Sequence, residues 1–300
     1  MLWVLAVLLL CAVATAQPGA TVQAIREPVK LPDTEVHSFR SKITGYEYVV
    51  SVALPPFYQR DPSARFPVLY LLDANSTLAT VTETARLLQF SNQIAPVLIV
   101  GIALSAKQPS DNMRFRNSAF TPTPNEKIDA ELSKLLNGEV HTGGAPRFLR
   151  SLKEEILPLV ESNYRTSAVR GIGGWSLSGL FAAYVLLQSP ETFQRYLLVS
   201  PSLWWGDGFV LKEVTRLTTD GPQRGHMVFI AHGSDEEKDI MESSQEMTRL
   251  LRKHSGVEIE LRTAEGENHF SGLAGNYSRG LRSLYGRKRP SVTSGAPKRQ

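Results

Sequence analysis

Cysteine is almost absent from this chain. The 300 residues contain one, Cys11, which excludes a disulfide framework and any zinc site built on cysteine. An excess of one charge is nearly absent too. The formal net charge is +4, but residues 287–300 hold Arg287, Lys288, Arg289, Lys298 and Arg299 and no acid, so the rest of the chain stands at −1. That body lacks the basic footprint of a nucleic-acid binder. No segment of 20–50 residues repeats, which excludes solenoids and propellers. What remains is 42% hydrophobic and 21% charged, an ordinary globular balance long enough to bury a large core.

The apolar run Leu2–Val13, followed by Ala14-Thr15-Ala16, reads as a signal peptide cut after Ala16. It is short for a membrane span and no stop-transfer pattern follows. The expectation is a secreted or periplasmic protein with no stable membrane anchor after cleavage. A lipoprotein would use Cys11, but bulky Leu10 stands where a small residue is needed. The mature chain would have no cysteine, which suits an oxidising compartment. Residues 17–286 then read as one catalytic domain, and residues 287–300, with Pro290, Gly295 and Pro297, as a basic disordered tail.

Strand and helix patterns alternate along the body. Val36–Arg40 and Tyr46–Leu54 look like an antiparallel pair. Phe66–Leu72 and Val97–Leu104 are near-continuous apolar runs, the mark of strands buried on both faces. Phe148, Leu149, Leu152, Ile156, Leu159 and Val160 recur at helical spacing. Val169–Gly173, Tyr196–Ser200, Met227–His232 and Val257–Thr263 read as further strands. Leu180–Leu187, a segment carrying Ile240, Met247, Leu250 and Leu251, and Gly272–Tyr285 read as helices. The order predicts an α/β fold, a mostly parallel central sheet with helices on both faces. Ser105–Gly144, with Pro109, Pro122, Pro124 and Gly143-Gly144, reads as a long irregular loop, a lid or rim.

Gly174-Trp175-Ser176-Leu177-Ser178-Gly179 lies between a predicted strand and a predicted helix, the context of a nucleophile elbow. A sharp turn there exposes the Ser176 hydroxyl, and small residues at minus two and plus two avoid clashes across it. Gly174 fills the first position; Ser178 replaces the usual glycine at the second. The following helix aims its first amides and its dipole at the hydroxyl, with the Leu177 amide as an oxyanion donor. Of the histidines after Ser176, His226 and His232 bracket an apolar strand and His254 ends a polar helix. His269, in Glu265-Gly266-Glu267-Asn268-His269, follows the last strand and is the candidate base. The acid should follow the preceding strand, where both Asp235 and Glu236 are within reach; Glu237 and Asp239 decorate a helix start.

In order and spacing, these residues resemble the putative-esterase family of α/β-hydrolases, especially its enterobactin- and bacillibactin-esterase-like branch, from about Val36 to Tyr285. The resemblance rests on Phe66-Pro67-Val68-Leu69-Tyr70-Leu71-Leu72-Asp73, Phe148 to Thr166, Gly179-Leu180-Phe181-Ala182, Ser200-Pro201-Ser202-Leu203-Trp204-Trp205 and Gly266-Glu267-Asn268-His269. It implies the α/β-hydrolase fold, Ser176 as nucleophile, His269 as base and Glu236 as acid, with Asp235 second. It also implies a second oxyanion amide at Asn75. A rim motif is matched by Arg116 and Phe120-Thr121-Pro122, but Ser118 and Ala119 depart from it, and Trp175 stands where the family often has histidine.

The chemistry expected is acyl transfer to serine with no metal or organic cofactor, on a small-molecule ester. The resemblance implies a siderophore trilactone or related macrolactone. Arg116 is a candidate for an anionic or polyphenolic substrate, and Trp175, Trp204 and Trp205 for the pocket wall. Two alternatives stay open: a general short-chain carboxylesterase, and a catalytically silent binding protein on the same fold. Oligomeric state does not follow from the sequence.

Overall fold

The alternating apolar positions of residues 34–53 form the antiparallel pair β1 (Thr34–Arg40) and β2 (Glu47–Ala53). The computed structural model describes residues 30–216, 225–254 and 256–287. The expected signal peptide Met1–Ala16 and the expected tail beyond Arg287 lie outside the described residues. From Pro32 onward the described residues form one compact unit.

Six more strands complete the sheet: β3 (Phe66–Leu71), β4 (Leu98–Leu104), β5 (Thr166–Trp175), β6 (Arg195–Val199), β7 (His226–Gly233) and β8 (Val257–Ala264). Among the described residues the order is β1-β2-β4-β3-β5-β6-β7-β8. β2 runs antiparallel to β4, and every pair from β4 to β8 is parallel. β4 is buried along its whole length, as a strand covered on both faces must be.

Helices α1 (Ala74–Phe90) and α9 (Leu273–Tyr285) pack on one face. Their Val81, Leu88, Leu281 and Leu284 meet Leu71, Leu197 and Phe229 of the sheet. The other face carries α4 (Ala145–Ser151), α5 (Leu157–Asn163), α6 (Leu177–Gln188), α7 (Trp205–Arg216) and α8 (Lys238–Leu251). Leu152, Ile156, Leu180, Phe181 and Met247 belong to that second core. α6 is buried from Ser178 to Leu186, so its sequence is apolar all round rather than striped.

The expected loop at Ser105–Gly144 is instead largely helical. It holds α2 (Pro109–Ala119) and α3 (Glu126–Leu135). The prolines mislead, because Pro109 stands in the first turn of α2, where a missing N–H costs nothing. The Asp111 carboxylate caps that end, accepting the amides of Lys107 and Gln108 at 3.1 Å. Asn125 caps α3 by accepting the Ile128 amide at 3.1 Å. α3 buries no residue fully; its short stripe Ile128, Leu132 and Leu135 is only partly covered, with Ile128 against the core.

β3 has β4 on one side and β5 on the other. The connections leaving β3 and β5 therefore diverge, the place in an open α/β sheet where ligands bind beyond the carboxyl ends of the strands. The groups described next are built around that switch point.

Candidate active site

Main-chain hydrogen bonds between strand ends bring the site together. The Leu72 amide donates to Gly173 O (2.9 Å), which sets the turn at Asp73 beside Gly174. The Ser176 amide donates to Val199 O (3.0 Å) and the Ser200 amide to Ala231 O (2.7 Å). At the far end, Ser234 donates to Ala264 O (2.9 Å) and Asp235 to Glu267 O (3.0 Å). The ends of β3, β5, β6, β7 and β8 thus bring residues distant in sequence into one row.

Ser176 sits at φ 61°, ψ −119° between β5 and α6, a backbone conformation that costs an L-residue energy and is held by its surroundings. Gly174 is required by contact: a Cβ there would lie 2.4 Å from the Ser178 carbonyl carbon. Leu177 opens α6, and Asn75 lies in the first turn of α1. First-turn amides have no acceptor within their own helix, so both can serve an anion. The Ser176 hydroxyl lies 3.3 Å from Ser202 Oγ. In this geometry that contact takes the place of a bond to His269; such bonds often tighten only when substrate is present.

Between the two acids left open above, the geometry discriminates. Glu236 is buried, and its Oε2 lies 3.0 Å from His269 Nδ1. Its Oε1 accepts from Ser200 Oγ and from the Gly233 amide, both at 2.6 Å. Burial pushes this carboxyl up, but the bonds from His269, Ser200 and Gly233 together outweigh it and hold it below the usual carboxylate range. Asp235 is exposed and bonds its neighbour Ser234 at 2.9 Å. With Nδ1 turned to Glu236, the imidazole has Nε2 left for a proton.

Trp175 braces the histidine. Its indole N–H donates to His269 O at 3.0 Å, and the rings lie 4.9 Å apart. Arg116 Nε donates to the buried Asp73 Oδ1 at 2.8 Å, and its guanidinium lies 5.4 Å from the Trp175 ring. Its Nη2 is buried without a partner among the described residues, so this end of the side chain is turned inward and not toward solvent. Trp205 is only 2% exposed and donates to Thr123 O at 3.2 Å. The pocket wall expected of Trp205 is therefore core packing, because a buried indole seeks one acceptor and otherwise fills volume. Trp204 is 38% exposed.

Three neighbours of these groups carry no signal of their own in the sequence. Ser200 and Ser202 stood inside a matched motif without a role. Phe270, 71% exposed, stands 5.3 Å from Trp175 and 5.4 Å from His269; adjacency to His269 was its only signal. A separate cavity of about 700 Å³ lies between α2 and the β1–β2 turn, lined by Tyr46, Leu104, Arg114, Phe115 and Phe148. None of Ser176, Glu236, His269, Arg116, Trp175 and Trp204 borders it. Among the described residues no cluster of His, Cys, Asp or Glu is arranged to hold a metal, and no helix is long and apolar enough to cross a membrane.

The family profile described as "Putative esterase" matches residues 41–271. The chain belongs to that family. It is a carboxylic ester hydrolase of the α/β-hydrolase fold. Ferri-bacillibactin esterase BesA of Bacillus subtilis is 32% identical to the esterase over 84% of this chain and 89% of its own length. A siderophore triacetylfusarinine C esterase of Aspergillus fumigatus is 24% identical over 86% and 95%. The crystal structure of the BES protein from Bacillus cereus superposes with a TM-score of 0.75 at 27% identity, covering 88% of this chain and 99% of that one.

Proposed function

We propose that this esterase hydrolyses the ester bonds of a siderophore, of the trilactone type, through an acyl-enzyme on Ser176. The observation that carries the mechanism is the buried Glu236 held 3.0 Å from His269 Nδ1 on the same row of strand ends as the strained Ser176. The substrate class rests on the likeness to the ferri-bacillibactin esterase over most of both chains.

His269 takes the proton as Ser176 Oγ bonds to the ester carbonyl carbon. The carbonyl electrons move onto oxygen, and the amides of Leu177 and Asn75 stabilise that charge, by about 3–4 kcal/mol per donor in comparable enzymes. The tetrahedral adduct collapses, the ester C–O bond breaks, and His269 returns its proton to the leaving alcohol. Water then repeats the sequence and frees the acid. Glu236 stays ionised and stabilises the imidazolium. Trp204 and Phe270 offer aromatic surface to an aryl acyl group. Export through the Met1–Ala16 leader would bring the enzyme to siderophore outside the cytoplasm.

A general short-chain carboxylesterase is the second reading. It is favoured by the burial of Trp205 and by the engagement of Arg116 with Asp73, which leave fewer groups for a large anionic ligand. Intact-mass analysis after fluorophosphonate treatment decides the mechanism: one adduct on the parent and none on Ser176→Ala is expected. No adduct on folded parent protein would leave the silent binding protein. A comparison of kcat/KM for a catecholate trilactone and for p-nitrophenyl butyrate then decides the substrate. A preference for the simple ester would overturn the siderophore assignment.

A further inference from the structure

The elbow departs from its usual glycine at Ser178, and that departure has a partner. Ser178 Oγ accepts the Trp175 amide at 2.8 Å and has two acceptors for its one proton, Asp73 Oδ2 at 2.7 Å and Trp175 O at 2.8 Å, of which the charged carboxylate is the stronger. Ser178 is fully buried and Asp73 is 5% exposed. Asp73 ends the turn after β3 at φ 55°, and its carbonyl accepts the amides of Ser76 (2.9 Å) and Thr77 (3.2 Å) at the start of α1. Its other oxygen, Oδ1, accepts from Arg116 Nε at 2.8 Å. One buried carboxylate therefore joins three elements: the turn that carries Asn75, the elbow that carries Ser176 and Leu177, and α2.

We propose that Asp73 is a positioning residue which, through Ser178 and with its charge balanced by Arg116, ties the Asn75 turn to the Ser176 elbow and so sets the spacing of the two oxyanion amides. The inference rests on the serine-esterase reading for its catalytic consequence, while the tie itself is a property of the folded chain. Two amides converge on one oxygen only if their turns keep a fixed separation, and a carboxylate bridging both turns supplies that constraint. A glycine at position 178 would leave Asp73 Oδ2 buried without this donor. Bonds to a buried carboxylate are also stronger than bonds between neutral groups. Arg116 belongs to the same assembly. Its guanidinium pairs with Asp73 and lies over Trp175, which accounts for an arginine turned inward beside the elbow.

The test uses the full chain and four variants: Asp73→Asn, Ser178→Ala, Ser178→Gly and the Asp73→Asn/Ser178→Ala double. Two readouts are taken. Hydrogen–deuterium exchange is followed in peptides covering residues 73–80 and 174–180. Steady-state kinetics are measured on p-nitrophenyl butyrate, with inhibition by an alkyl trifluoromethyl ketone, which forms a tetrahedral adduct on serine. Each single variant is expected to speed exchange in both segments, although it alters only one of them. Each should lower kcat by about tenfold to a hundredfold, the scale of a misplacement near 1 Å. KM should stay within about twofold, and affinity for the ketone should fall in parallel with kcat. The double variant should be no worse than the poorer single, because one link is broken twice.

Ser178→Gly removes the hydroxyl without adding bulk, so it guards against a variant that fails to fold. Exchange rising only in the altered segment, or losses that add in the double, would overturn the proposal. If the parent neither turns over ester nor labels with fluorophosphonate, the catalytic reading fails. The paired exchange response then still decides the tie: present in both segments it stands, confined to one it falls.

Discussion

A buried carboxylate survives only where donors replace the water it has lost. Glu236 has three, from His269, Ser200 and Gly233, whereas Asp235 faces solvent. Glu236→Ala should therefore lower kcat on a simple ester by about a hundredfold or more, and Asp235→Ala by less than about threefold, in parallel steady-state assays. The reverse ranking would move the acid to Asp235. Ser200→Ala removes one charge-assisted bond and should cost about 1.5–3 kcal/mol, read as lost stability in urea together with lower kcat. Because Glu236 is held below its ordinary range when folded, the unfolded chain binds the proton more readily. Its stabilising contribution is thus complete above the usual glutamate value of about 4.3 and is lost as pH falls below it. Urea midpoints measured from about pH 6 down to pH 3 should fall more steeply for the parent than for Glu236→Gln. Sequence pattern pointed to Ser176, His269 and a pair of acids, and the resemblance put Glu236 ahead of Asp235. Local pattern alone could not choose between them, because adjacent residues after a strand differ only in which way the folded chain turns them.

At the scale of elements, close approaches decide what the turns tolerate. A Cβ on Gly233, at the end of β7, would lie 1.9 Å from Glu267 O in the histidine loop. Gly233→Ala should push that loop away from Glu236 and lower kcat while the protein stays folded, which circular dichroism and kinetics together would show. A Cβ on Gly280 of α9 would meet Leu197 Cδ1 at 2.0 Å and Phe229 Cδ1 at 2.9 Å. Gly280→Ala should instead cost stability, about 1–3 kcal/mol by overpacking, measured by urea unfolding. Strands were the most readable elements, because continuous burial writes long apolar runs into β3 and β4. α2 and α3 were not readable, since proline at a helix start looks the same as proline in a loop, and the apolar stripe of α3 is three residues long and only partly covered.

For the whole molecule, the sheet order is what turns scattered residues into a site. β3 and β5 are neighbours although about 100 residues of chain separate their starts, and parallel pairing aligns their carboxyl ends. Trp205→Ala should destabilise the protein by about 3–5 kcal/mol, since a fully packed indole leaves a cavity. Trp204→Ala should leave thermal stability nearly unchanged and act on KM for an aromatic substrate. Little or no loss of stability in Trp205→Ala would return Trp205 to the pocket wall. The sequence by itself determined the alternation of strand and helix, the elbow with its serine and the histidine loop, because each depends on local pattern, turn chemistry or order along the chain. Only the tertiary structure decided that Arg116 pairs with Asp73, that Trp205 is core and that Ser178 reaches the turn after β3, and it set Glu236, which the resemblance had put first, against His269. Each of those depends on which distant surface a side chain faces once the strands have paired, and no local spacing encodes that.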